Sequence, residues 1–260
     1  MGESLVKLAH TGPVARITMA RPEVHNAFNE ELIAQLHAAF ANAISDASVR
    51  VIVLAGEGKS FSVGADLNWM RRAATWSEEE NRRDSRALTA MLRAVAECPK
   101  PVVARVHGAA MGGGAGLTAC ADVAIAAESA TFAFSEVRLG LAPATIAPHV
   151  IARIGPGRAL PLFLTGERFD ARRAYEVGLV HRVVPDAELD AAVDEAVAAL
   201  LAGSPQAQAA CKQLVREVTD RPRGETDAYT AQLIASLRTS EEGREGVTAF
   251  LDKRKPRWAE

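Results

Sequence analysis

Three short apolar runs, residues 14–19, 51–54 and 102–106, are separated by one long helical stretch each, which restricts the chain to β-α-β connections and an α/β fold. In the first run Ala15, Ile17 and Met19 alternate with Arg16 and Thr18, the period of two of a half-buried strand, and Arg21-Pro22 ends it. Asn29 stands where it caps a helix, with Glu30 and Glu31 in the first turn and Leu32, Leu36 and Phe40 along one face. Residues 51–54 are wholly apolar, as in a buried strand, and run into Gly56, Gly58 and Gly64. Ser77 and Glu80 form a capping box before the stripe Leu88, Met91, Leu92, Val95, and Pro99 and Pro101 stop that helix. Further strands are expected at 123–126 and 131–134, after a short helix at 112–120, so a strand-strand-helix unit recurs.

Beyond Pro156 only residues 179–184 read as strand, and Ala-rich helical stretches follow at 186–203, 205–218, 226–238 and 241–253. The chain therefore divides into an α/β core, 1–195, and a helical C-terminal subdomain, 196–260. The small apolar faces of those last helices suit an oligomer interface, or packing onto their own core.

With 260 residues and a formal charge of −2, the chain can bury a sizeable core but lacks the basic field that a nucleic-acid binder needs. A small-molecule partner is expected instead. Cys98, Cys120 and Cys211 form no CxxC pair and read as reduced, buried thiols, and no metal site is expected. The first twenty residues carry charge early and have no long apolar core, so neither a leader peptide nor a membrane span is expected, and the expected location is cytoplasmic.

Two glycine patterns invite cofactor readings that fail on spacing. The stretch Gly56-Glu-Gly-Lys-Ser60 ends like a phosphate-binding loop, but its first required glycine falls on Val53. A GxGxxG read from Gly112 meets Leu117 where the last glycine belongs. What Gly113 and Gly114 do offer is bare backbone at a helix N-terminus, where N–H groups are unpaired and the dipole favours negative charge. Gly64 and Ala65 offer a second such turn between a strand and a helix. Taken singly, each is better explained as a tight structural turn.

The ordered series Arg21-Pro22-x-x-x-Asn26-Ala27-Phe28, Phe61-Ser-x-Gly-Ala-Asp-Leu67, His107-Gly-Ala-Ala-Met-Gly-Gly-Gly114 and Phe134-Ser-Glu-Val-Arg-Leu-Gly140 resembles the motif set of the crotonase (enoyl-CoA hydratase/isomerase) superfamily. The resemblance continues through Leu164-Thr-Gly166 and Gly178-Leu-Val180 to residues 248–255. It implies a crotonase-like spiral of β-β-α units with a helical C-terminal part, assembled as a homo-trimer or dimer of trimers. By that resemblance the backbone N–H groups of Ala65 and Gly113 form an oxyanion hole for a thioester oxygen. Val24, His25, Ala27, Asp66 and Leu67 fall where the family lines its coenzyme A groove, and Phe250 and Lys253 where a C-terminal segment touches coenzyme A. Coenzyme A is then part of the acyl-CoA substrate, and no separate cofactor is implied.

Hydratases of the superfamily commonly use two glutamates. Here the second is matched by Glu136, while Gly116 occupies the catalytic position of the first. Residues 139–148 also lack the family's usual PGxGGTQRL run and place Ala144, Ile146, Ala147, Pro148 and His149 there. These departures resemble a bacterial branch of methylglutaconyl-CoA or carboxygeranoyl-CoA hydratases, whose substrates carry a distal carboxylate. Arg71, Arg72, Arg138 and His149 are the candidate partners for such a group, although a solvated face explains each arginine equally well. The expected activity is hydration of a 2-enoyl-CoA. The alternatives are a Δ3-Δ2 enoyl-CoA isomerase with Glu136 as sole proton shuttle, and a non-catalytic CoA-binding or RNA-associated scaffold.

Overall fold

The computed structural model describes residues 4–259. Its elements in chain order are β1 (Val6–Thr11), β2 (Val14–Met19), α1 (Glu30–Ser45), β3 (Val51–Gly56), α2 (Leu67–Ala73), α3 (Glu78–Ala96), β4 (Val102–Val106), β5 (Ala109–Met111), α4 (Gly113–Cys120), β6 (Val123–Ala127) and β7 (Thr131–Ala133). Then come α5 (Ala147–Ile154), α6 (Pro156–Thr165), β8 (Arg168–Asp170), α7 (Ala171–Val177), β9 (Arg182–Val184), α8 (Leu189–Leu201), α9 (Pro205–Asp220), α10 (Arg223–Thr239) and α11 (Glu241–Leu251).

A six-stranded sheet runs β1-β2-β3-β4-β6-β9, parallel except for the β1–β2 hairpin, and a second sheet runs β5-β7-β8. Alternation along each strand sends side chains to two cores. Ile52, Leu54, Val102, Ala104 and Val106 join the larger core, with α1, α3 and α4. Val51, Val53, Val103, Ile125 and Val184 face the other way and are covered by Leu189, Ala192, Val193 and Val197 of α8. The domain boundary expected after residue 195 therefore falls inside a helix that closes the core sheet.

The caps expected from the sequence are present: Asn29 accepts the Leu32 N–H, and Ser77 and Glu80 form the reciprocal box. Strand β1 was not legible, because it is an edge strand whose side chains are nearly all exposed and carry no alternation. Helices α5, α6 and α7 and strand β8, within residues 147–177, match no element expected from the sequence. Helix α6 is hard to read because proline and glycine open it and Pro161 lies inside it. Of the cysteines, Cys98 and Cys120 are buried, but Cys211 is exposed on α9, correcting the expectation of three buried thiols.

Helices α9 and α10 bury no residue fully, and α11 buries only Ala249 among the described residues. They return to the core through few polar ties. Lys212 pairs with Asp122 at 2.5 Å, and Arg50 donates to the carbonyls of Gly203 (2.6 Å) and Trp258 (2.5 Å). Trp258 Nε1 donates to Ala202 O at 3.1 Å, so the end of the excursion closes on its beginning. Among the described residues no helix is long and apolar enough to cross a membrane.

Candidate active site

The loop between β2 and α1 is held in an unusual backbone path. His25 and Asn26 have φ of 55° and 54°, a region that costs non-glycine residues about 1–3 kcal/mol each and persists only where surroundings enforce it. Here they do. The fully buried Asn26 side chain accepts from Arg21 N (2.9 Å) and donates to the carbonyls of Glu57, Ser60 and Phe61 at 2.9, 2.8 and 3.2 Å. Val63 N donates to His25 O, Ser62 Oγ donates to Asn26 O, and the His25 ring meets Ser60 Oγ at 3.0 Å. Arg21 also donates to Ala27 O at 2.6 Å and pairs with the buried Asp66 at 3.1 Å.

Asp66 was expected to line the coenzyme A groove, yet its carboxylate is occupied by Arg21 and by the N–H groups of Asn68 and Trp69, which it caps at the start of α2. Burial alone would raise its pKa. The two backbone N–H groups and Arg21 outweigh that and hold it below the ordinary value. Val24, His25 and Ala27 share the loop that Asp66 clamps, and Leu67, 69% exposed, opens α2 beside them.

Behind this loop the two segments expected to supply the oxyanion donors meet. Gly64 has φ +83°, and a Cβ built on it would lie 2.9 Å from Met111 O and 3.4 Å from Gly113 N. A side chain there would thus strain the turn and crowd the start of α4. Gly113 is the first residue of α4, where helical N–H groups have no partner within the helix. Among the described residues neither Ala65 N nor Gly113 N donates a backbone hydrogen bond.

Glu136 opens a short 3-10 turn just after β7, and its Oε1 would lie 3.1 Å from a Cβ on Gly112. Its Oε2 is buried with no hydrogen-bond partner. Burial without a counter-charge pushes this carboxyl above the usual range. Gly116 carries no reacting group: its N–H donates to Gly112 O, it is buried, and a Cβ on it would run into Cγ2 of the buried Ile146 and lie 2.8 Å from Ile146 Cβ. The place of a first glutamate is therefore filled by isoleucine.

The remaining candidates are dispersed. Phe250 is 82% exposed on α11 and Lys253 is exposed just beyond it; no hydrogen bond or ion pair joins either to residues 24–27 or 65–67. Arg72 is engaged by Glu30 at 2.6 and 2.8 Å and Arg71 by Asn68 at 3.0 Å. Arg138 lines a cavity of about 440 Å³ together with Ser135, Thr131 and Arg168, and neither arginine has an ion pair among the described residues. His149, its pKa lowered by burial, lines a larger cavity of about 530 Å³ at the opposite end of α4, beside Glu97, Arg153 and Lys212. The larger of these two cavities thus lies away from the glycine run and Glu136. Among the described residues no cluster of three or more His, Cys, Asp or Glu side chains is placed to hold a metal.

Sequence reasoning missed Phe28, Ile146 and the Arg21–Asp66 clamp. Phe28 and Arg21 stood inside a recognised motif, whereas the packing of Ile146 on Gly116 left no local signal.

Known proteins resemble the chain over almost its entire length. An enoyl-CoA hydratase from Shewanella pealeana superimposes with a TM-score of 0.95 at 40% identity, covering 98% of this chain and 96% of that one. The carnitinyl-CoA dehydratase of Salmonella typhi is 34% identical, covering 99% of each chain. The trans-2-decenoyl-acyl-carrier-protein isomerase of Streptococcus mutans is 32% identical, with 94% of each covered. Residues 10–260 match the enoyl-CoA hydratase/isomerase family, and with these relatives at such coverage the chain belongs to that family and has the crotonase fold.

Proposed function

We propose that the chain hydrates the C2–C3 double bond of a 2-enoyl-CoA thioester, with Glu136 as its acid–base group. The observation that carries this is a buried carboxyl oxygen without a partner, next to the glycine start of a helix whose first N–H is unengaged. Water adding at C3 drives the π electrons toward C2 and the thioester oxygen, which becomes an enolate oxygen. The N–H groups of Ala65 and Gly113 receive that charge, each worth on the order of 3 kcal/mol of barrier. Glu136 takes the proton from the water as the C–O bond forms and returns a proton to C2, so the enzyme ends in its starting state. Its raised pKa suits both directions of transfer.

In this reading the β2–α1 loop bearing Val24, His25 and Ala27, together with Asp66 and Leu67 at the start of α2, supports the nucleotide and pantetheine, and Phe250 and Lys253 reach coenzyme A from the C-terminal helices of a homo-trimer or dimer of trimers. A branched or carboxylated acyl group such as 3-methylglutaconyl is the finer expectation. Of the three arginines considered for a distal carboxylate, Arg138 has, among the described residues, neither an ion pair nor a side-chain hydrogen bond, which favours it over Arg71 and Arg72. The proposed location remains cytoplasmic.

The packing of Ile146 on Gly116 favours one competing reading, a Δ3-Δ2 isomerase, because it leaves a single carboxylate to move a proton between C2 and C4. Incubation of 2-enoyl and 3-enoyl-CoA esters in ¹⁸O-water, with mass analysis of products, separates the two. A 3-hydroxyacyl ester carrying ¹⁸O supports hydration. Interconversion of the enoyl esters without oxygen uptake supports isomerisation, and no turnover of either supports a binding role.

A further inference from the structure

We propose that Phe28 is the positioning residue that sets the distance and angle between the two oxyanion donors, an inference that rests on the assignment of those donors to Ala65 and Gly113. Its main chain brackets Ala65. Phe28 N donates to Gly64 O at 2.6 Å and Asp66 N donates to Phe28 O at 2.8 Å, forming a parallel bridge between Phe28 and Ala65. In a parallel bridge the residue between those two bonds turns its own N–H to the opposite side, so the clamp on its neighbours fixes where the Ala65 N–H points.

Its side chain does the second half of the task. The ring is 1% exposed and lies against the start of α4: a Cβ built on Gly113 would be 2.6 Å from Phe28 Cε2 and 2.8 Å from Cδ2. The ring thus occupies the place a side chain on Gly113 would take, and the position of that peptide follows the ring. Ser62 ties the same segments further back, accepting from Met111 N at 2.9 Å, but Phe28 touches both at the donors themselves. The ring is held in turn by its own loop, through the buried Asn26 and the Arg21 bond to Ala27 O.

A buried phenylalanine is ordinarily part of a core, and its loss ordinarily costs stability alone. A positioning role makes a different prediction, since misplacing a donor by about an ångström lowers the rate by up to about 10²-fold with little effect on binding. The test uses full-length Phe28→Leu and Phe28→Ala with two readouts. The first is the absorption of bound 4-(dimethylamino)cinnamoyl-CoA, whose band moves to the red when its thioester carbonyl is polarised. The second is kcat and KM for the enoyl-CoA ester turned over by the wild type.

Expected is a reduced red shift at saturating protein and a kcat lowered about 10- to 100-fold in Phe28→Ala, with KM within about threefold, and values in between for Phe28→Leu. Should Phe28→Ala not fold, Phe28→Leu alone decides. A folded variant that keeps the full red shift and kcat overturns the proposal while leaving the oxyanion hole in place. A wild type that fails to bind the probe or to shift its band overturns the oxyanion assignment, and this inference with it.

Discussion

At the Glu136 carboxyl, function and stability pull in opposite directions. Burial raises its pKa, so the folded chain holds this proton at a pH where the unfolded chain has released it. Between the ordinary carboxylate pKa and the raised folded value the native state binds more protons than the unfolded state, and stability falls as pH rises. Glu136→Gln is therefore expected to raise the melting temperature at neutral pH, with the gain vanishing below the ordinary carboxylate pKa; melting curves across pH check this. The same variant should lose about 10²- to 10⁴-fold in kcat while its affinity for the CoA ester, measured calorimetrically, is nearly unchanged. Retention of full turnover would move the proton chemistry to another residue.

Two elements carry the site, the first turn of α4 and the capped start of α2. The first is closed by Ile146, so Gly116→Ala should destabilise by about 1–3 kcal/mol in denaturant titrations despite alanine's better helix propensity. Gly116→Glu should be tolerated only together with Ile146→Gly. If Gly116→Glu alone is as stable as wild type, the packing described here is wrong. At α2, Asp66→Asn keeps a good N-cap but removes the charge facing Arg21, and should cost about 1–3 kcal/mol at neutral pH. Because the folded pKa of Asp66 is depressed below its ordinary 3.8, its contribution is present above that value and is lost as pH falls through the folded pKa. The variant's acid unfolding should accordingly be flatter than the wild type's.

These elements also show where sequence reading works. The Ser77–Glu80 box, the Asn29 cap and the wholly apolar β3 are local signals, and the structure carries each of them. Gly113, Ala65 and Glu136 lie in short motifs whose order could be recognised. Ile146 resting on Gly116 and the Phe28 ring against Gly113 join positions distant in the chain, and only folding reveals which glycine makes room for which side chain. Helix α6 was hidden for the opposite reason, since its prolines argue against the element they occupy.

Over the whole molecule the two sheets and helices α1 to α8 form the packed body, and helices α9 to α11 leave it with little apolar surface covered. Phe250 and Leu251 are 82% and 71% exposed, and Val215, Ile234 and Val247 are exposed as well. Among the described residues of a single subunit nothing buries them, so sedimentation at micromolar concentration should give a multiple of the 27.6 kDa chain mass. Phe250→Asp should shift it toward the single subunit.

Arg50 gives this excursion a topology. One guanidinium binds the carbonyls of Gly203 and Trp258, so the helices from α9 to α11 behave as a lasso whose two ends are tied together at the start of β3, with Lys212–Asp122 as a further tie along its length. A lasso transmits tension to its knot: displacement of the outer helices is felt at the first residues of β3, on the strand that runs toward Gly64, and a chain cut before Trp258 would retain every reacting group while α11 loses its closure on the start of the excursion.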